Sequence, residues 1–98
     1  MLNTIEKIKQ WGADRMITKH GSSISQAIKT LEETTELLDA VNTKNRLMIK
    51  DAVGDIMVTL VMVTELEGLT MDECLDAAYE EIKDRKGYLR ADGTFMKV

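Results

Sequence analysis

The sequence predicts an all-α protein of four helices, near residues 3–15, 24–41, 46–67 and 71–86, followed by a short C-terminal tail. Three observations carry that reading. The 98 residues include no proline, where average usage would supply about five, and proline breaks helices and punctuates β-rich chains. Apolar residues recur at helical spacing through most of the chain. Thr70-Met71-Asp72-Glu73 has the form of a capping box, in which Thr70 and Glu73 satisfy each other's exposed amides. The length fits one domain, residues 1–98, near the small end of what folds alone.

The first helix sets Ile5, Ile8 and Trp11 on one face, and His20-Gly21-Ser22-Ser23 reads as a loop whose serines can cap the next helix. In the second, Ile24, Ile28, Leu31, Leu38 and Val41 form one apolar-leaning stripe. Glu32, Glu36 and Asp39 fall beside the stripe, and Glu33 falls farther round. Residues 42–45 supply a turn. The third helix contains residues 56–63, apolar nearly all round and rich enough in Val, Ile and Thr for a strand. The run lies inside a longer stretch without breakers that ends at Gly68, so helix is preferred. A helix apolar on every side must be covered on every side, and three short partners hardly suffice, which implies a homo-oligomer. The fourth helix offers Cys74, Leu75, Ala78, Tyr79 and Ile82 as a buried face. Lys83, Arg85 and Lys86 crowd its last turn, where cations suit the helix dipole, and Gly87 ends it. In the tail, Ala91-Asp92-Gly93-Thr94 signals a turn that folds Phe95 back over the body.

Charge and cysteine usage exclude several classes of function. Seventeen acidic against thirteen basic residues leave a net −4, which argues against a protein whose main task is to neutralise the phosphates of a nucleic-acid polymer. One cysteine, Cys74, permits no disulfide framework or cysteine zinc cluster and reads as inert core. The start is too interrupted by charge for a signal peptide, and no apolar run is long enough to span a membrane, so a cytoplasmic protein is expected. The methionines are most simply packing.

The surplus acids concentrate in two places: Glu32-Glu33-Thr34-Thr35-Glu36 on the second helix and Asp51-Ala52-Val53-Gly54-Asp55 on the third. Residues three or four apart on a helix are neighbours, and consecutive helices joined by a short loop pack antiparallel, so the two clusters can face each other. Carboxylates so placed repel unless protonated or bridged by cations, and a hard divalent ion such as Mg²⁺ is the natural bridge. The plain alternative is a solvated acidic face. Asp55 weighs against it by directly preceding an apolar segment, and Gly54 beside it offers room for close helix approach. His20, the one histidine, lies in a loop, so the Glu-x-x-His pairs of a di-iron bundle are missing, as are calcium-loop, Gly-rich phosphate-loop and nucleophile-elbow patterns.

Glu32-Glu33-x-x-Glu36, followed on the next helix by an acidic pair ending at Asp55, resembles the MazG-like all-α nucleoside triphosphate pyrophosphohydrolases, whose pattern is Glu-Glu-x-x-Glu and then Glu-x-x-Asp. Residues 78–87 look like the small single-domain branch found in phages and Gram-positive bacteria. The chain departs from the pattern at Ala52, where Glu is expected and Asp51 is the nearest acid, and at Glu80, where that branch has Asn. The resemblance implies Mg²⁺-dependent hydrolysis between the α and β phosphates of a (deoxy)nucleoside triphosphate, with Mn²⁺ a possible substitute. It implies Glu33, Glu36 and Asp55 as metal ligands, with Asp51 direct or at one remove, and Glu32 or Glu36 orienting or deprotonating the attacking water. Lys29, Lys83, Arg85 and Lys86 are candidate phosphate contacts, each with a solvated helix face as its alternative. Trp11 can stack on a base or sit in the core. A homodimer, or a tetramer made of two dimers, is implied too. The rival readings are a non-catalytic helical interaction protein on the same scaffold and a base-specific dUTP or dCTP pyrophosphatase.

Overall fold

A computed structural model describes residues 2–98. Five helices run α1 (Thr4–Asp14), α2 (Ile17–His20), α3 (Ser23–Asn42), α4 (Arg46–Glu67) and α5 (Met71–Ile82), and the chain closes on a hairpin of β1 (Gly87–Leu89) and β2 (Phe95–Lys97). The expected all-α architecture is present, with corrections at two joints. The stretch read as a loop around His20 contains α2, entered through Met16 at a left-handed φ of 63°. The last helix stops at Ile82 rather than residue 86, so Lys83, Arg85 and Lys86 lie beyond its last turn, and Gly87 opens a strand.

Side-chain caps fix the helix starts. The Asn3 side chain accepts from the amide of Glu6, Ser22 from Ser25 and Asn45 from Met48, each satisfying an amide that the helix leaves free. The capping box at α5 is complete: Glu73 N–H donates to Thr70 Oγ1 at 3.1 Å, and Thr70 N–H to Glu73 Oε1 at 2.6 Å. Gly68, at a left-handed φ of 68°, ends α4 and lets Leu69 N–H reach back to the carbonyl of Thr64.

The packed body consists of α3 against α4, with α1 and α2 laid on α4. Val61, Met62 and Met71 form its buried centre, lined by Ile5, Ile8, Ile17 and Leu60. Gly12 is buried where α1 crosses α4, because a Cβ there would meet the Met62 sulfur. The apolar run of α4 is therefore largely covered within one chain. What remains bare lies elsewhere. The apolar stripe of α3 is exposed, with Ile24 70%, Leu31 69% and Leu38 69% accessible, while Gln26, Thr30, Glu33, Leu37 and Ala40 are half-buried or buried. The expected buried face of α5 is likewise bare at Leu75, Ala78, Tyr79 and Ile82, with Cys74 half-buried. Gly54 meets no neighbour, so it serves no close helix approach.

The tail makes its turn as the sequence signalled. Asp92 Oδ1 accepts from Thr94 N–H at 3.0 Å, and the strands pair antiparallel with Tyr88 opposite Met96. Phe95 does not return to the body, however, and the hairpin packs broadly on no helix. Among the described residues no helix is long and apolar enough to cross a membrane.

Candidate metal and phosphate site

Three carboxylates converge between α3 and α4. Glu33 and Glu36 are one turn apart on α3, Asp55 faces them from α4, and one oxygen from each lies within 4.8 Å of the others. The contact between the helices that brings them together is built from small polar and small apolar residues. One turn before Glu33 and one turn after Asp55, the Thr30 and Thr59 hydroxyls share a hydrogen bond of 2.8 Å. Each hydroxyl also reaches a carbonyl of its own helix, Gln26 O at 2.9 Å and Ile56 O at 2.7 Å. Toward the α3–α4 turn, Ala40 and Ala52 are buried. The acids are thus held between a hydroxyl clamp on one side and buried alanines on the other.

The electrostatics of the cluster are unfavourable as it stands. Glu33 Oε2 is buried with no hydrogen-bond partner. The Glu33 carboxyl is raised above its ordinary 4.5, first by a side-chain hydrogen bond shared with Glu36, then by desolvation, then by the negative charges of Glu36 and Asp55. Lys29 opposes this shift. A buried carboxylate oxygen with an unmet need, beside two other hard oxygen donors, fits a divalent cation that prefers oxygen ligands, such as Mg²⁺ or Mn²⁺.

Of the pockets that Asp55 lines, two also reach the glutamates of this cluster. One, of about 380 Å³, is acidic and lined by Glu36, Asp39, Met48, Asp51, Ala52 and Asp55. The other, of about 450 Å³, runs from Glu33 and Asp55 past Lys29, Ser25, Gln26 and Thr59 to an apolar end of Trp11, Ile17, Val58 and Met62. Asp55 belongs to both. The arrangement offers three oxygen donors that could hold a cation, with an acidic pocket on one side and an aromatic-ended pocket on the other.

The residues singled out from the sequence divide clearly. Glu33, Glu36 and Asp55 come together, and Asp51 lines the adjoining acidic pocket in company with Ala52, the position where an acid was missing. Glu32 turns away from the cluster and pairs with Lys29 at 3.5 Å, while Lys29 also lines the larger pocket. Trp11 is not core: it is 41% exposed, borders that pocket, and carries the Arg15 guanidinium 4.7 Å from its ring centroid. Lys83, Arg85 and Lys86 line neither pocket, and Lys83 pairs with Glu80 at 2.8 Å. Sequence reasoning gave no role to Asp39 or Gln26. Helical spacing could have found both, since Asp39 stands three after Glu36 and Gln26 seven before Glu33.

Residues 22–89 match the family model described as MazG nucleotide pyrophosphohydrolase domain. An uncharacterized 18.2 kDa protein encoded in the rep-hol intergenic region of Haemophilus phage HP1 is 34% identical over 61 residues, which are 62% of this chain and 37% of that protein. No solved structure matches the chain significantly.

Proposed function

Because this chain belongs to the MazG nucleotide pyrophosphohydrolase family, we propose that it hydrolyses (deoxy)nucleoside triphosphates to the monophosphate and pyrophosphate in a divalent-metal-dependent reaction. The observation that carries the reading is the convergence of Glu33, Glu36 and Asp55 around a buried carboxylate oxygen that has no partner. These three would hold Mg²⁺, with Asp51 and Asp39 extending the acidic lining. When bound, the metal supplies charge neutralisation at the phosphates and a more acidic water.

The chain's own residues account for the rest. Water attacks the α-phosphorus in line with the bridge to the β-phosphate, the bond from the α-phosphorus to that bridging oxygen breaks, and pyrophosphate leaves. Glu36, on the acidic-pocket side, orients the water and takes its proton. Glu32 stands one turn away and joins it when Lys29 leaves their exposed 3.5 Å pair to meet phosphate, which costs little because such pairs are weak. Trp11, with Arg15 over its ring, would take the base at the apolar end of the pocket, where Gln26 offers an amide from the same lining. Lys83, Arg85 and Lys86 are further phosphate contacts, reached only if their segment comes to the site.

The functional unit is a homo-oligomer of single-domain chains, either a dimer or a pair of dimers. The chain exposes 7751 Å², whereas a compact monomer of its 11.0 kDa would expose about 5,600 Å². The excess of about 2,100 Å² per chain is of the size that obligate homodimers bury. Its radius of gyration, 15.9 Å, likewise exceeds the roughly 13 Å of a compact domain of this length. The cytoplasm, where nucleoside triphosphates are made and used, is the compartment that suits this activity.

The test is to incubate the protein with each (d)NTP under Mg²⁺ or Mn²⁺ and identify the products. Monophosphate with pyrophosphate is expected. A strong preference for dUTP or dCTP would make it a base-specific enzyme. No turnover of any nucleotide would overturn the reading in favour of a helical interaction protein.

A further inference from the structure

The C-terminal hairpin has a construction that its own chain does not explain. A two-stranded hairpin is marginal by itself in water. This one is apolar on both faces, with Tyr88 and Met96 on one side and Leu89 and Phe95 on the other. Tyr88, Leu89 and Phe95 are 59%, 69% and 53% exposed. Gly87 is fitted to it, because a Cβ there would collide with the Met96 carbonyl and the Phe95 ring. The segment also differs in charge from the rest of the molecule. Residues 83–98 hold five Lys or Arg against Asp84 and Asp92, a net +3, so the remainder carries −7. Arg85 and Lys86 form no ion pair among the described residues.

The complementary surface exists on α3. Its outward row of Ile24, Ile28, Leu31, Leu38 and Val41 is bare and apolar, and the acids Glu32, Glu36 and Asp39 run along its border. An apolar hairpin edged with cations matches an apolar row edged with carboxylates in both respects. Among the described residues the hairpin packs broadly on no helix of its own chain, and α5, which leads to it, is anchored through Met71 and otherwise carries most of its apolar face into solvent.

We propose that the C-terminal hairpin is an exchanged arm: in a dimer, each copy lays residues 83–98 on the outward row of α3 of the other and brings Arg85 and Lys86 to the edge of that copy's acidic site. The nucleotide-hydrolysing part of this inference rests on the function proposed above. The arm burial does not. The dimer is then isologous, with two shared sites, each taking its acids from one copy and its added cations from the other. In this arrangement the net charge at the substrate's entrance is less negative than one chain alone presents, which favours the approach of a triphosphate.

Two measurements on full-length protein test the arm. Light scattering at micromolar concentration is expected to give a dimer or larger for the wild type and a monomer for the double variant Tyr88→Glu, Phe95→Glu. Helical circular dichroism should be retained, since neither residue belongs to the core. A double variant that remains as associated as the wild type would overturn the proposal. In the second measurement, Glu36→Gln is mixed with Arg85→Glu, Lys86→Glu, each inactive or nearly so alone, and the chains are allowed to exchange. Shared sites restore activity in the mixed dimers to about one quarter of the wild-type rate, because half the dimers are mixed and one site in each is whole. No gain above the sum of the two variants, with subunit exchange verified by mass, would mean that the cations act within their own chain and would sink the shared site. If the wild type turns over no nucleotide, the enzymatic reading fails by itself, and the light-scattering comparison still decides the arm.

Discussion

The two faces of α3 are built in opposite senses. The row turned toward α4 is Gln26, Thr30, Glu33, Leu37 and Ala40, mostly polar or small. The row turned to solvent is Ile24, Ile28, Leu31, Leu38 and Val41, the apolar residues that an amphipathic helix ordinarily buries. The inward row forgoes apolar contact and gains the hydroxyl clamp between Thr30 and Thr59 and the buried Glu33 oxygen. The outward row is left bare among the described residues. A helix so inverted has an unmet need on each face, a buried carboxylate oxygen on one and a bare apolar row on the other, and the two are separable by experiment.

The largest effect is expected on the inward face. Asp55→Asn or Glu36→Gln should lower turnover by roughly 100-fold or more, the scale seen when one preorganised charge-stabilising group is lost. Light scattering should show the oligomer unchanged. A variant that kept its rate would break the assignment of this face. On the outward face, Ile28→Glu with Leu31→Glu should weaken self-association by about 30-fold or more, as loss of an interface centre worth about 2 kcal/mol does. Sedimentation across a dilution series reads this, with helix content preserved. If dilution behaviour did not change, the bare row would not be the contact surface.

Thr59→Val sharpens the comparison at smaller cost. Removing its hydroxyl should lower stability by about 1 kcal/mol, read by urea denaturation, with Thr30 still able to donate to the Gln26 carbonyl. The smallest effect is in pH. Because the folded state raises Glu33 above 4.5, folded protein binds more protons than unfolded protein between those two values. Metal-free protein therefore loses this contribution as pH rises through the raised value and regains it on acidification. Mg²⁺ competes with that proton, so the rise in Tm that Mg²⁺ produces should grow with pH over the same window. A metal-induced shift that did not depend on pH would separate Glu33 from the ligand set.

Much of the fold was legible because it is written locally. The Thr70 capping box and the stop at Gly68 need only a few neighbouring residues, and both stand as the sequence indicated. The short helix at Ile17–His20 was not legible, because four residues show no periodicity and Met16 gives no local sign of its left-handed turn. The candidate site was half legible. Spacing puts Glu33 beside Glu36, and the short loop between antiparallel helices brings Asp55 opposite them, but the distinction between Glu32 and Glu33 depends on which way α3 is rotated. Lys83, Arg85 and Lys86 were placed on a helix that ends before them.

By itself, the sequence determined an all-α chain, its helix caps, and two acidic clusters on consecutive helices, since propensity, capping and i, i+3 spacing act within a few residues. Only the tertiary structure decided which face of α3 meets α4. Periodicity measures where apolar residues gather, and on α3 that row is the one left bare among the described residues. The hydroxyl clamp, the small buried alanines and the anchoring of α1 and α2 on α4 fix the rotation instead. That rotation turns a surplus of surface acids into three carboxylates within 4.8 Å of one another.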